Sequence, residues 1–482
     1  MAEEWVWDPP RLEVLELGEP EGLKQLVERY LDAMDGGEAL AQILKVVGEN
    51  EGARCFVERD YIDRDYRDEY ANFYAQTYRS HLDRCQRLHF LSAAGAYIGY
   101  VVLRPIPGRL VSRTMVAPPP ELRSFISCLA EDVASPHGGR FPIQASPFIS
   151  QDFQYGVCAH AAIWIVAQYF HLRFGLPRLH MSDVVQASRS RPGHHRITPS
   201  RGLTASQLSG ALDSLGMLPV SYQLTSSESR KDADGSAGQL NSALDSTGIL
   251  PVSHQPASHE RRKDADEVAR CYLNSGIPLI LSQGRHAQVL VGYFHDEEGK
   301  RVYIAQDDVR GPYRLLDGLD GADLLLIPSP GRIYLDPSAA QDAALFHFED
   351  LMSREEVAKR FEGIDDEDLQ LRAYVTEIAA YREGLIGRGV VPDARTWLNL
   401  TSGSHWVWIV ELQDGRAAEK GRECVIGEML VDATTDERNA HVLMGVMPGH
   451  VYRWREPKRG ESSGPCGQTA LFETGCAIHS VS

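Results

Sequence analysis

Ser146 to Phe170 reads SPFISQDFQYGVCAHAAIWIVAQYF, and the fold turns on where this stretch changes character. Upstream of Cys158, the residues Gln151, Asp152, Gln154 and Gly156 make a polar, turn-prone approach. Downstream, Ala161, Ala162, Ile163, Ile165, Val166, Ala167, Tyr169 and Phe170 leave almost no polar face. A helix apolar all round belongs inside a core. Cys158 then sits in the first turn of a buried helix, where unpaired backbone N–H groups and the positive end of the dipole favour thiolate over thiol. The same residue also suits plain packing, because cysteine behaves as a small hydrophobe and a lone one in an apolar helix is more often core than nucleophile.

A second stretch shifts that balance. From Gly276 to Tyr313 the chain runs GIPLILSQGRHAQVLVGYFHDEEGKRVYIAQDDVRGPY, which reads as a short strand, a turn, and a strand-turn-strand hairpin. His286 opens the first hairpin strand, and Asp307 and Asp308 close the second. If Phe294 pairs with Arg301 across the HDEEGK turn, His286 lies opposite Val309, and Asp307 falls on its side of the sheet one diagonal away, with Asp308 on the other face. A register slip of one residue exchanges the two aspartates, so Asp307 is favoured and Asp308 stays open. The arrangement supplies a base and its orienter on rigid sheet, which is what a nucleophile at a helix terminus needs.

A cysteine in the first turn of a buried helix after a Gln-bearing loop, a histidine heading the apolar strand HAQVLVGY, and an aspartate after the next strand together resemble the papain-like cysteine peptidases. Within them the chain is similar to the bacterial group related to double-glycine (bacteriocin) leader peptidases. The resemblance covers roughly the middle third of the chain. It implies Cys158 as nucleophile, His286 as general base and acid, Asp307 as the residue orienting the imidazole, and the Gln151 carboxamide in the oxyanion hole, with Gln154 as a competing donor. The chain departs from the family pattern in carrying Ala159 after the cysteine and Asp308 after Asp307.

Composition narrows the function classes. At 482 residues and 43% hydrophobic content the chain can bury several cores. A net charge of −18 argues against a nucleic-acid or anionic-membrane binder, since both need a basic footprint. MAEEWVWDPP at the start is acidic and lacks a basic-then-apolar signal pattern, and no apolar run approaches the ~20 residues of a membrane span. The eight cysteines have no C-x-x-C pair, which suits reduced thiols in the cytoplasm rather than a zinc or disulfide framework. No cofactor and no metal site is expected.

The expected fold class is α+β, with a papain-like central module flanked by two α+β regions. Residues 1–138 form the first region: helices over Leu23–Met34 and Ala39–Val47, a strand in ARCFVE, and a small antiparallel sheet from LHFLSA, YIGYVVLRPIP and RLVSRTMV. The stretch from Arg59, RDYIDRDYRDEYANFYAQTYRSH, reads as a helix with a packed aromatic edge and solvated charges. Its aspartates Asp60, Asp63, Asp65 and Asp68 lack a calcium-loop arrangement with a central glycine.

The central module spans 139–330. It contains His194-His195 in a polar loop and a tandem duplication over 207–266. QLSGALDSLGMLPVSYQLTSSESRKDAD, Gln207 to Asp234, recurs 32 residues later as QLNSALDSTGILPVSHQPASHERRKDAD, Gln239 to Asp266. Each copy reads as a short helix, a Gly turn, an LPV strand and a charged loop. Two copies are too few for a solenoid.

Residues 331–455 form the last region, with helices in SREEVAKRF and in DEDLQLRAYVTEIAAYREGLIGRG, the latter capped at Gly389. Strands follow in SHWVWIVELQD, ECVIGEMLVDATTD and AHVLMGVMPGHVYRW. His405, Asp432 and His441 read as structural strand-end residues, and 456–482 as an unstructured tail. Taken together, the sequence leads to a cysteine peptidase or amide hydrolase acting on a peptide or protein through a thioester. Its rivals are a transglutaminase-like acyl transferase and an inactive papain-like scaffold. Oligomeric state is not legible.

Overall fold

The computed structural model describes residues 13–16, 37–106, 110–190, 202–224, 258–354, 364, 368–387, 405–419, 424–436, 440–447, 450–453 and 467–470. It is a mixed α and β protein built on antiparallel sheets. The chain divides into two compact units, one of residues 1–266 with 276–330 and the other of 267–275 with 331–482. The segments expected as an N-terminal region and a central module thus share one unit.

In the first unit, strands β1 (Glu13–Glu16), β2 (Gly52–Tyr61), β3 (Cys85–Ser92), β4 (Tyr97–Leu103) and β5 (Val111–Val116) form an antiparallel meander. The helix Glu38–Glu49 buries Leu40, Ile43, Val46 and Val47, the apolar positions of its 3.6-residue period. The expected helix over Leu23–Met34 lies outside the described residues.

The acidic stretch after β2 departs from expectation. Its helix is short, Arg64–Asn72, and while Asp60, Arg64 and Arg67 are exposed, Asp63, Asp65 and Glu69 are buried. Asp63 caps the helix through the N–H groups of Asp65 and Tyr66 and pairs with Arg113 at 3.0 Å; Asp65 pairs with Arg178 at 2.9 Å, and Glu69 with Arg104 at 3.0 Å. Buried charges persist only when paired and hydrogen-bonded. These pairs meet that condition.

After a two-stranded ribbon, β6 (Ala130–Ala134) and β7 (Phe141–Ala145), comes the apolar helix Cys158–Phe174. It buries Ile163, Trp164, Ile165, Val166, Tyr169 and Phe170, each contributing about 1.5–3 kcal/mol by removal from water. It ends at Gly175, whose φ of 70° is the left-handed cap that glycine adopts without a Cβ penalty.

The helix packs on the six-stranded sheet that holds the candidate site. That sheet has the order β12-β11-β10-β9-β13-β8, with β8 Val220–Gln223, β9 Leu279–Gln283, β10 His286–His295, β11 Arg301–Asp307, β12 Gly311–Asp317 and β13 Leu324–Ile327. All its pairings are antiparallel.

The first copy of the duplication forms the expected helix and strand, Ala205–Ser214 and β8, with Gly216 at φ +80° between them. Thr204 caps the helix, accepting from Gln207 N–H. Leu208, Ala211 and Leu212 are buried, and β8 adds to the sheet beside β13. Of the second copy, 239–257 lies outside the described residues. The charged segment at its end is not a loop but the opening of a helix, Ser258–Asn274.

The second copy repeats the buried positions as Leu240, Ala243 and Leu244, so it can supply the same helix and strand. Deleting residues 207–238 is therefore expected to leave a folded protein that is less stable by a few kcal/mol, because beside the mild changes Gly210 to Ser242 and Met217 to Ile249 it puts Pro256 where Leu224 is buried and donates its N–H to the Asp323 carbonyl. Urea denaturation followed by tryptophan fluorescence checks this. A much larger loss would mean that both copies are packed.

The second unit is one antiparallel sheet in sequential order: β14 (Leu369–Glu377), β15 (Trp406–Asp414), β16 (Val425–Asp432), β17 (Val442–Met447), β18 (His450–Arg453) and β19 (Gly467–Ala470). The helices Pro337–Met352 and Ile378–Gly387 belong to it, and Ile378, Tyr381, Leu385, Val407, Ile409, Leu430 and Met444 share its core.

Two expectations change here. DEDLQLRAYVTEIAAYREGLIGRG is not one helix: Ala373 and Val375 alternate inward along β14, and the helix begins only at Ile378. Gly389 and most of SREEVAKRF lie outside the described residues. The tail contains β19, which pairs with β18. Asp432 holds its own turn, accepting from the Thr434 N–H and hydroxyl. Among the described residues no two cysteines form a disulfide, and no helix is long and apolar enough to cross a membrane.

Candidate active site

The loop before the apolar helix is ordered around one carboxylate. Asp152 Oδ1 accepts from the N–H groups of Gln154 (3.0 Å), Tyr155 (2.9 Å) and Gly156 (2.7 Å), and its second oxygen accepts from the Tyr74 hydroxyl. Two further ties fix its start: Arg104 donates to the Ser150 carbonyl at 2.7 Å, and the Tyr313 hydroxyl accepts from Ser146 N–H while donating to the Val116 carbonyl. Phe153, held at φ +60° within this loop, is the kind of backbone outlier that gathers at functional sites.

The helix start has no conventional side-chain cap. Val157 N–H instead donates to His160 Nδ1 (3.3 Å), and His160 Nε2 bonds the Ser188 oxygen (3.0 Å). Because the Ser188 hydroxyl proton goes to the Val184 carbonyl, its oxygen must accept, which makes His160 the neutral Nε2–H tautomer. Burial drives its pKa down to about 4, against a smaller upward pull from Asp152. His160 is a positioning element that sequence reasoning missed.

Cys158 is half-buried at the first helical position, its thiol 3.7 Å from the Arg285 carbonyl. His286, the next residue, heads β10 and is hydrogen-bonded to both Asp307 and Cys158. Nε2 is the nitrogen held by Asp307 Oδ1, at 3.1 Å, so Nδ1 is the one left for the thiol. Asp307 Oδ1 also accepts from the N–H groups of Val309 (3.0 Å) and Arg310 (2.9 Å). Burial would raise the Asp307 pKa, but these hydrogen bonds, led by that of His286, outweigh it and hold the carboxyl below its usual range.

The pairing register explains how the aspartates arrive there. At the turn end His295 faces Arg301 and Phe294 faces Val302, one residue away from the expected pairing. A bulge between Leu290 and Gly292 then restores the expected frame, so that Leu290 faces Ala305 and Val289 faces Gln306. Asp308 does not turn to the opposite face: β11 ends at Asp307, strand alternation ends with it, and an Asp308 oxygen lies 3.7 Å from His286 Nε2. The site thus has two carboxylates on one imidazole. Of the two candidate amides, Gln151 is 5% exposed, with its backbone N–H directed to Asp308, whereas Gln154 stands in solvent.

Asp308 is 2% exposed, and neither of its oxygens makes a hydrogen bond of ordinary geometry, although the backbone N–H groups of Gln151 and of Asp308 itself point toward the carboxyl. Burial raises its pKa to about 7, with the charge of His286 pulling down and that of Asp307 pushing up. His286 moves the other way for its class. Burial lowers its pKa, but the bonds to Asp307 and Cys158 and the two carboxylate charges outweigh that and lift it to about 10, so the imidazole is cationic at neutral pH.

A folded-state pKa above the unfolded value means stability that is present at low pH and lost as pH rises. For Asp308 the loss runs from about 4 through about 7. Asp308→Asn, which mimics the neutral form, is expected to leave stability at pH 4 nearly unchanged and to raise it at pH 8, by at most about 4 kcal/mol. Chemical denaturation at the two pH values reads this. Equal effects at both would show that Asp308 ionisation carries no penalty.

No known family profile matches the chain, and no curated protein matches it in sequence.

Proposed function

We propose that the protein is a cysteine hydrolase of amide bonds, a peptidase in the first instance, and that its central region is papain-like. One observation carries the reading: a thiol at the head of a buried helix and a carboxylate on the sheet both act on one imidazole, the carboxylate through Nε2. That is the connectivity a thiol nucleophile requires of its base and orienter.

In the proposed cycle His286 holds the thiol proton, and Cys158 sulfur attacks the carbonyl carbon. The oxyanion is met by the Cys158 backbone N–H and the Gln151 side chain. Collapse expels the amine, which takes its proton from His286, and leaves a thioester on Cys158. Water then attacks, gives its proton to His286, and releases the acid as sulfur leaves. Asp307 holds the ring and its Nε2 proton throughout. The substrate is a peptide or protein, and the net acidity and pattern of thiols favour a cytoplasmic setting.

Two rivals share the geometry. An acyl transferase would pass the thioester to an amine, and a scaffold would bind without turnover. Incubating the wild-type protein and Cys158→Ala with a proteome-derived peptide library, with and without an added primary amine, separates them by mass spectrometry. New termini made only by wild type mark a hydrolase, amine adducts without new termini a transferase, and neither a scaffold.

A further inference from the structure

The second carboxylate is more than the proposed cycle uses. We infer that His286 Nε2, Asp307 and Asp308 form a binding site for a zinc ion, and that an ion held there switches off the thiol.

Spacing is the first argument. One ligand atom from each residue falls within a 4.8 Å group, and Nε2 lies 3.1 Å from Asp307 Oδ1 and 3.7 Å from Asp308 Oδ1. Tetrahedral zinc with bonds of about 2.0–2.1 Å has ligand-to-ligand edges of about 3.3–3.4 Å, between those two separations. Unmet bonding is the second argument. Asp308 is 2% exposed, neither oxygen accepts a hydrogen bond of ordinary geometry beyond the approach of the Gln151 and Asp308 N–H groups, and one of them faces the imidazole. Buried carboxylates in this condition call for a partner, and a cation between the three groups provides it.

Ligand chemistry selects the ion. One imidazole with two carboxylates suits zinc, whereas magnesium and calcium favour shells of oxygen alone. The backbone N–H groups of Val309 and Arg310 already orient Asp307, as the outer shell of a metal site does. The His286 side chain is 30% exposed, leaving solvent a way in and a water for the fourth position.

Inhibition follows from which nitrogen is taken and rests on the proposed function; binding does not. Zinc occupies the Nε2 lone pair, displacing one proton to solvent, and the neutral ring keeps its remaining proton on Nδ1. That nitrogen then has no lone pair with which to take a proton from Cys158.

The test uses the untagged full chain carrying Cys158→Ala, so that the thiol cannot hold the ion. Titration calorimetry with zinc chloride is expected to show one equivalent bound, weakened more than about tenfold by an added Asp308→Asn and lost with His286→Gln. Should the Asp308→Asn protein not fold, loss of the His286 Nε2–H signal on adding zinc to Cys158→Ala supports the same site. In wild type, zinc should slow alkylation of Cys158 and EDTA restore it. Absence of binding in Cys158→Ala, or undiminished binding with Asp308→Asn, overturns the site. Binding as expected with a wild-type Cys158 that is inert even under EDTA keeps the site and removes the peptidase reading instead.

Discussion

Cys158→Ala is expected to abolish turnover of any substrate found in the peptide-library experiment, by about four orders of magnitude or more, and His286→Ala to do the same. Residues acting as one nucleophilic unit fail together, because each removes the same covalent route. Folding should survive the first change. Cys158 is half-buried at the first position of a helix, where alanine is an excellent helix former, and the apolar face behind it is untouched. Thermal denaturation of Cys158→Ala within a few degrees of wild type, with no product formed, is the predicted pair of results. Normal turnover would end the assignment of the nucleophile. Unfolding would restore the view of Cys158 as core.

Selective chemistry at the thiol is the second large effect, and it needs no substrate. An ordinary thiol is less than about 1% thiolate at pH 6, whereas a neighbouring imidazolium favours the anion. His286 supplies that cation, since it keeps its proton up to about pH 10. Brief limiting iodoacetamide at about pH 6 is therefore expected to label Cys158 ahead of the other described cysteines by some tens-fold, allowing for the lower nucleophilicity of a stabilised thiolate.

The competitors are poor. Cys55, Cys85, Cys128 and Cys271 are buried, burial pushes the Cys128 thiol up to about 12, and it raises that of Cys424 as well. His286→Ala should remove most of the advantage, and Asp307→Asn should reduce it by releasing the ring. Asp308→Asn should matter less, because Asp308 sits 3.7 Å from Nε2 where Asp307 sits at 3.1 Å. Cys158 reacting no faster than Cys424 would mean an unactivated thiol.

Much of the site was legible because it depends on local pattern. The change from polar loop to apolar helix located Cys158, and strand alternation brought His286 and Asp307 to one face. What failed depends on distant partners. The acidic helix after β2 read as solvated because nothing nearby shows Arg178, which lies 113 residues from Asp65, or Arg104, 35 from Glu69. Asp308 was placed on the wrong face because alternation was carried one residue past the end of the strand. LQLRAYVTE was absorbed into a helix because its inward positions, Ala373 and Val375, adjoin a true helix without a breaker between them. His160 carried no signal, as a lone histidine in an apolar run gives no hint that it bonds its own helix start.

The bulge in β10 divides the hairpin into two halves. Its switch point is pinned from outside: Cys128 N–H donates to the Val291 carbonyl, and Gly292 lies so close to the Phe125 and Ile126 backbone that a side chain there has no room. The frame that carries Asp307 to His286 is thus referenced to residues 125–128 and not to the turn. The tip, Glu297 to Lys300, is exposed and can be rebuilt on its own terms. An epitope or fluorophore grafted there would report on the protein in cells while leaving the imidazole where it is, which makes the HDEEGK turn a natural attachment point for imaging and capture.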